Sequence, residues 1–165
     1  MNDDALTIRP AILADVPFIA DSNAALAWET EHKALDRHVL EKGVQAVFAD
    51  ARRGFYLVAE RGARAVGCLL VTFEWSDWRN GDWWWIQSVY VIATARRRGV
   101  FRALYADVER RARAAVGVVG LRLYVEHENA PALATYASLG MEDAGYRLMQ
   151  SGFLDFGAEP KPAQS

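Results

Sequence analysis

Residues 82–116 read DWWWIQSVYVIATARRRGVFRALYADVERRARAAV, and the pattern changes twice along them. Trp84 to Ile92 is dense in aromatic and β-branched side chains, the composition of a strand. Ala93 to Gly99 is a turn that holds Arg96, Arg97 and Arg98 in succession. From about Gly99 or Val100 to about Val116, Phe101, Leu104, Tyr105, Val108, Ala112 and Ala115 recur at helical spacing. Arg102, Asp107, Glu109, Arg110 and Arg113 take the opposite face.

The junction between strand and helix has a chemistry of its own. The first turn of a helix leaves its N–H groups without internal partners, and the macrodipole places partial positive charge there. Gly99 lacks a Cβ, so a ligand can approach the main chain. The arginines add full charge beside the amides. A phosphate or pyrophosphate suits such a junction; a solvated basic turn is the alternative reading. The chain has neither GxxxxGK[ST] nor GxGxxG after a strand, which sets the other glycine-rich phosphate loops aside.

Residues 96–104, RRRGVFRAL, resemble the acetyl-CoA signature of the GNAT N-acetyltransferase superfamily, [QR]-x-x-G-x-[GA]. Arg96 and Gly99 match, and Phe101 stands where glycine or alanine is usual. Residues 129–141, NAPALATYASLGM, resemble the family's N-x-x-A-x-x-x-Y-x-x-x-G-F segment, with Met141 in place of phenylalanine. The two segments stand in the family's order with one strand between them, and the compatible element pattern covers about Leu6 to Phe153.

The resemblance implies acetyl-CoA as cofactor. Its pantetheine arm would lie along Val89, Tyr90 and Val91, in a gap where this strand and the next splay apart. Its pyrophosphate would sit among Arg96, Arg97, Arg98, Gly99, Val100, Phe101 and Arg102, with Asn129 contributing from the second segment. The implied reaction is acyl transfer from a thioester to an amine. It needs a neutral amine, a donor for the oxyanion and a proton for the leaving thiolate. A backbone N–H near Val89 would meet the oxyanion, and Tyr136 matches the family's general acid. A half-buried tyrosine bonded to water is the structural alternative.

The base stays open. Glu74 and Glu126, each at the end of a predicted strand, are candidates reached through water. Gln87 and Ser88 sit where the family's central strand often bulges, and are candidate substrate contacts. His127 has a suitable ordinary pKa but equally reads as solvated. The resemblance also places Trp28, Glu29, Glu31 and His32 near the acceptor; the alternative makes Trp28 core and the others solvent-facing.

The rest of the chain reads as ordinary globular sequence. Of its 165 residues, 52% are apolar and 24% charged, enough for one domain with its own core. The formal net charge of −2 supplies no basic field for nucleic acid. The single Cys68 excludes an internal disulfide and fits a reducing, cytoplasmic setting. No signal-peptide pattern and no apolar run of membrane-spanning length is found.

In order, the expected elements are a strand at Leu6–Arg9 and a helix from Val16 to about Glu31 with Asp15 as N-cap. A second helix runs from Asp36 to about Ala49. Strands follow at Phe55–Glu60, Ala65–Trp75 and Trp83–Ile92, then the Arg-turn helix, a strand at Gly120–Glu126 and a helix at Pro131–Leu139. One or two final strands are expected within 141–153. This order predicts an α+β fold with a mixed, mostly antiparallel sheet flanked by helices, and one right-handed parallel crossover. Residues 1–154 form one domain on this reading, and 155–165 a disordered tail.

Five of the six tryptophans lie between Trp75 and Trp85. Strand alternation sends Trp83 and Trp85 to one face and Trp84 to the other. Trp75 and its neighbours can hold a cationic or aromatic amine, with Glu74, Asp77 and Asp82 favouring a cation. A core edge or a homodimer contact is the alternative. The sequence thus predicts an N-acetyltransferase for a small primary amine such as a polyamine, amino acid or amino-group antibiotic. A non-catalytic acyl-CoA-binding module and a protein lysine or N-terminal acetyltransferase are the other readings.

Overall fold

The computed structural model describes residues 5–153; the tail expected at 155–165 lies outside the described residues. Five strands form one sheet in the order β1-β2-β3-β4-β5. They are β1 (Leu6–Pro10), β2 (Phe55–Arg61), β3 (Arg64–Ser76), β4 (Gly81–Val91) and β5 (Val118–Leu123). The first four pair antiparallel in sequence order, and β4 pairs β5 in parallel. Helices α1 (Val16–Glu31), α2 (Arg37–Ala49), α3 (Val100–Ala114) and α4 (Ala130–Ser138) complete the expected α+β fold. Among the described residues, no helix is long and apolar enough to cross a membrane.

Strand alternation divides the core in two. Leu57, Ala59, Leu69, Val71 and Ile86 point to α3, where Val100, Leu104 and Val108 close the layer. Tyr56, Val58 and Cys68 point the other way, onto Val16, Ile19 and Ala20 of α1 and Val44 of α2. Leu104 and Val108 have no exposed surface, and each such side chain contributes about 1.5–3 kcal/mol by leaving water. The tryptophans sort as alternation requires. Trp84 packs on Phe55 and Phe73, with ring centroids 5.2 and 5.8 Å away. Trp83 and Trp85 lie on the α1 side under Arg122, 4.1 and 5.8 Å from its guanidinium. Gly120 permits this, because a Cβ there would stand 2.5 Å from the Trp83 ring.

Four local expectations are corrected. Asp15 does not cap α1 with its side chain; its carboxylate turns back to accept from the Ile12 N–H at 2.7 Å and to pair with Arg9 at 2.7 Å. Trp28 is not core but 58% exposed, edge-on to His32. β5 ends at Leu123, so Glu126 belongs to a turn. Residues 141–153 form no strand. Asp143 accepts from the Gly145 N–H at 2.7 Å, and Gly145 is left-handed; a turn so closed interrupts the extended run a strand needs. Asp36 behaves as the N-cap of α2, its carboxylate accepting from His38 and Val39 N–H groups at 2.8 and 3.1 Å.

Candidate active site

β4 and β5 pair from Asp82↔Val118, with a register shift before Trp83↔Gly120, to Ile86↔Leu123, and there the ladder stops. β4 continues to Val91, still paired with β3, so residues 87–91 present an edge with no β5 partner. Two β4 residues, Ser88 and Val89, oppose Leu69 alone. This is a β-bulge, and Ser88 takes a left-handed φ of 50° within it. Ile92 N–H donates to Val66 at 3.0 Å, so ladder alternation turns the Val91 main chain to the open edge. The Val91 carbonyl there already accepts from Arg96 Nε at 2.9 Å, which leaves its N–H as the group it can offer a ligand.

Beyond β4, a short 3-10 segment (Ala93–Ala95) leads into the arginines. Arg97 and Gly99 are both left-handed, with φ of 61° and 78°. Gly99 is the N-cap of α3, and no side chain caps that helix. No heavy atom beyond its chain neighbours lies within 4 Å of where a Gly99 Cβ would stand. The turn's conformation therefore requires the glycine, and the space before it is open to an anion. Phe101 does not fill that space. It packs edge-on against Tyr136, 5.7 Å away, and beside Tyr105.

The arginines divide their work. Arg96 Nη2 meets Glu29 Oε2 at 2.7 Å, its guanidinium lies 5.4 Å from the Tyr90 ring, and the Tyr90 hydroxyl donates to Glu29 Oε1 at 3.1 Å. Arg96 thus braces α1 against the turn. Arg102 Nη2 donates to Ser138 Oγ at 2.9 Å and ties α3 to α4. Arg97 and Arg98 are exposed and, among the described residues, have no acidic partner; they supply the uncompensated charge beside the first-turn amides.

On α4, the Asn129 side chain accepts from the Ala132 N–H at 3.2 Å and caps the helix. Tyr136 is half-buried, and burial pushes its phenol up, so the hydroxyl keeps its proton at neutral pH and stands as a donor. Val89 packs into the α3-side core, while Gln87 Nε2 donates to Thr72 Oγ1 at 2.5 Å.

The carboxylates are less available than the residue types suggest. Glu74 accepts from Trp85 Nε1 and from Arg122 Nη1, both at 2.7 Å. Glu126 is exposed and accepts from the Glu128 N–H at 2.8 Å. Trp75 is 62% exposed at the far end of β3. A cavity of about 560 Å³ opens between α1 and the end of β4, beside Tyr90 and Ile92. A groove of about 720 Å³ runs between α3 and β5. Tyr136 and Gln87 line neither. Sequence reading gave no role to Arg122 or Tyr124. Nothing local pointed to the contact between Glu29 and Arg96.

A mixed sheet forked between two parallel strands, with a basic, uncapped helix start past the open end, has the architecture of an acyltransferase. Residues 21–141 match the model described as the Acetyltransferase (GNAT) family, and the chain belongs to that family. It is similar to a possible acetyltransferase from Clostridium difficile 630, with 43% identity and a TM-score of 0.84 over 91% of this chain and 99% of the other. An integron cassette protein from the Cole Harbour Salt Marsh metagenome shares the fold at 20% identity, with a TM-score of 0.78 over 90% of this chain and 91% of the other. Mycothiol acetyltransferase of Corynebacterium aurimucosum is 28% identical over 134 residues, which are 79% of this chain and 43% of that protein. The chain therefore spans less than half the length of this curated relative.

Proposed function

We propose that the protein is an acetyl-CoA-dependent N-acetyltransferase that acts on the primary amine of a small molecule. What supports the reading is the presence together of three features: the unpaired β4 edge, the open amides after Gly99, and Tyr136 packed on Phe101 of the first turn of α3. The pyrophosphate rests on the amides from Gly99 to Arg102, with Arg97 and Arg98 beside them. The pantetheine arm runs along Val89 and the Val91 N–H. The amine comes from the α1 side, where Gln87 and Thr72 face it.

In the reaction the amine nitrogen attacks the thioester carbonyl, and the oxyanion is met by main-chain N–H at the bulge. The C–S bond then breaks, and the thiolate takes the Tyr136 proton. The proton lost by nitrogen passes to water. Glu74 faces the same side as Gln87, and each of its oxygens keeps a second lone pair to receive that water; Glu126 is the more distant candidate. Cys68 is a spectator, because burial pushes its thiol up to about 11. A buried, unreactive lone cysteine is compatible with a cytoplasmic setting.

The test is calorimetric titration with coenzyme A, followed by thiol release from acetyl-CoA across a panel of amines. Coenzyme binding with amine-dependent release supports the proposal. Binding without turnover of any amine would make the protein a coenzyme-binding module instead.

A further inference from the structure

β5 is the last strand of the sheet, and among the described residues no strand pairs with its outer edge. Alternate residues of such an edge turn their N–H and C=O groups outward, which makes a template for another strand. Natural edges are blunted by charge or proline. Val118–Leu123 has no proline and one charge, Arg122, which is drawn to Glu74 across the sheet. Beside this edge, on the α3 side, the groove of about 720 Å³ is walled by Tyr105, Val119, Leu121, Leu139 and Met141.

The same chain carries a segment that packs on nothing. Every residue of 142–153 is exposed, although Tyr146, Leu148, Met149 and Phe153 are large and apolar. Residues 139–142 enter the groove, and no later residue lines it. No heavy atom beyond their chain neighbours lies within 4 Å of a would-be Cβ on Gly145 or Gly152. After the left-handed Gly145, no residue up to Phe153 has a positive φ, so residues 146–153 are free of the backbone reversals that stop a strand. Their first six positions match the six residues of β5 in length.

Independently of the acetyltransferase reading, we propose that two copies of this chain exchange residues 146–153 reciprocally, each segment adding a strand to the outer edge of its partner's β5. Alternation sends Tyr146 and Leu148 into the groove and Arg147 to the opposite face. The arrangement closes on a two-fold axis, because one edge and one segment serve each copy. Tyr146 and Phe153 are 80% and 92% exposed. At about 150–250 Å² per aromatic side chain, these two hold out roughly 300 Å². Each segment covers a like area of its partner, so two exchanges bury roughly 1,200 Å² in all, where stable interfaces begin. Leu148 and Met149 add to that area.

Sedimentation equilibrium on the full chain should find a dimer. Leu148→Pro removes a main-chain donor from the added strand and disturbs no packed surface of the single copy. One weakened pairing is worth roughly 10-fold, so the two together should raise the dimer dissociation constant roughly 100-fold. Tyr146→Asp should act in the same direction. The exchange itself is read by mixing a Val119→Cys chain with a Leu148→Cys chain and adding a short bis-maleimide. Cys68 is buried and stays out of that reaction. The linker should join the two different chains, a readout that holds even where Leu148→Pro fails to fold. A wild type that stays monomeric at every concentration overturns the proposal. So does a dimer indifferent to both substitutions, or a link that forms only within one chain carrying both cysteines.

Discussion

Gly99 offers the most direct test of the anion site, because its two contributions can be separated. Its φ of 78° is left-handed, and no atom beyond its chain neighbours stands within 4 Å of a would-be Cβ. Gly99→Ala thus costs backbone strain and no clash, about 1–2 kcal/mol of stability. Gly99→Glu carries the same strain and adds a negative charge beside the amides. One charge pair about 4 Å apart in water is worth about 1 kcal/mol. Two pyrophosphate charges make about 2 kcal/mol, a loss of roughly 30-fold in coenzyme affinity beyond that of the alanine variant. Calorimetry on both variants, with thermal melting to verify equal stability, reads the difference. It should shrink toward 1 M salt, where screening acts over about 3 Å. Equal affinities in the two variants, or a difference insensitive to salt, would refute the placement of the diphosphate.

Other perturbations bear on the remaining parts of the site and the core. Tyr136→Phe should lower kcat by about 10²–10⁴-fold with little change in coenzyme Kd. Because burial raises the phenol's pKa, the wild type should keep this acid protonated past pH of about 10, and rate–pH profiles of the two proteins check it. Glu29→Gln loosens the brace on Arg96. The pair is part-exposed, so the coenzyme Kd should rise by no more than roughly 5-fold, and adding Arg96→Gln should change it little further. Asp15 is held below the usual carboxylate range chiefly by its hydrogen bonds to Arg9, against a burial effect of opposite sign. A depressed carboxylate contributes stability above its unfolded pKa and loses it as pH falls through the folded one. Asp15→Asn should therefore cost roughly 1–3 kcal/mol at pH of about 7, and the two urea-unfolding curves should converge in acid.

Much of the fold was legible because its signals are local. The Trp84–Ile92 composition, the Arg96–Gly99 turn and the helical spacing of Leu104 and Val108 each follow from neighbours in sequence, and the segment 129–141 added the second motif. The same locality explains the errors. Asp15 and Pro17 mark the start of α1 as expected, yet the Asp15 carboxylate is taken by Arg9 on β1 and does not cap the helix. Residues 141–149 carry apolar side chains that suit a strand, but a strand needs a partner, and the ladder stops at β5.

Alternation and spacing alone determined that a strand, a basic glycine turn and an amphipathic helix follow one another, since dihedral preference and side-chain period act over a few residues. Tertiary structure alone decided which charges remain available. Glu29 reaches Arg96 across 67 residues, and Glu74 reaches Arg122 across 48. Such pairs form only when packing brings distant segments within hydrogen-bond range. The basic glycine turn proposed to bind an anion was therefore readable along the chain, whereas the pairings that leave Arg97 and Arg98 exposed and engage Arg96 and Glu74 required the fold.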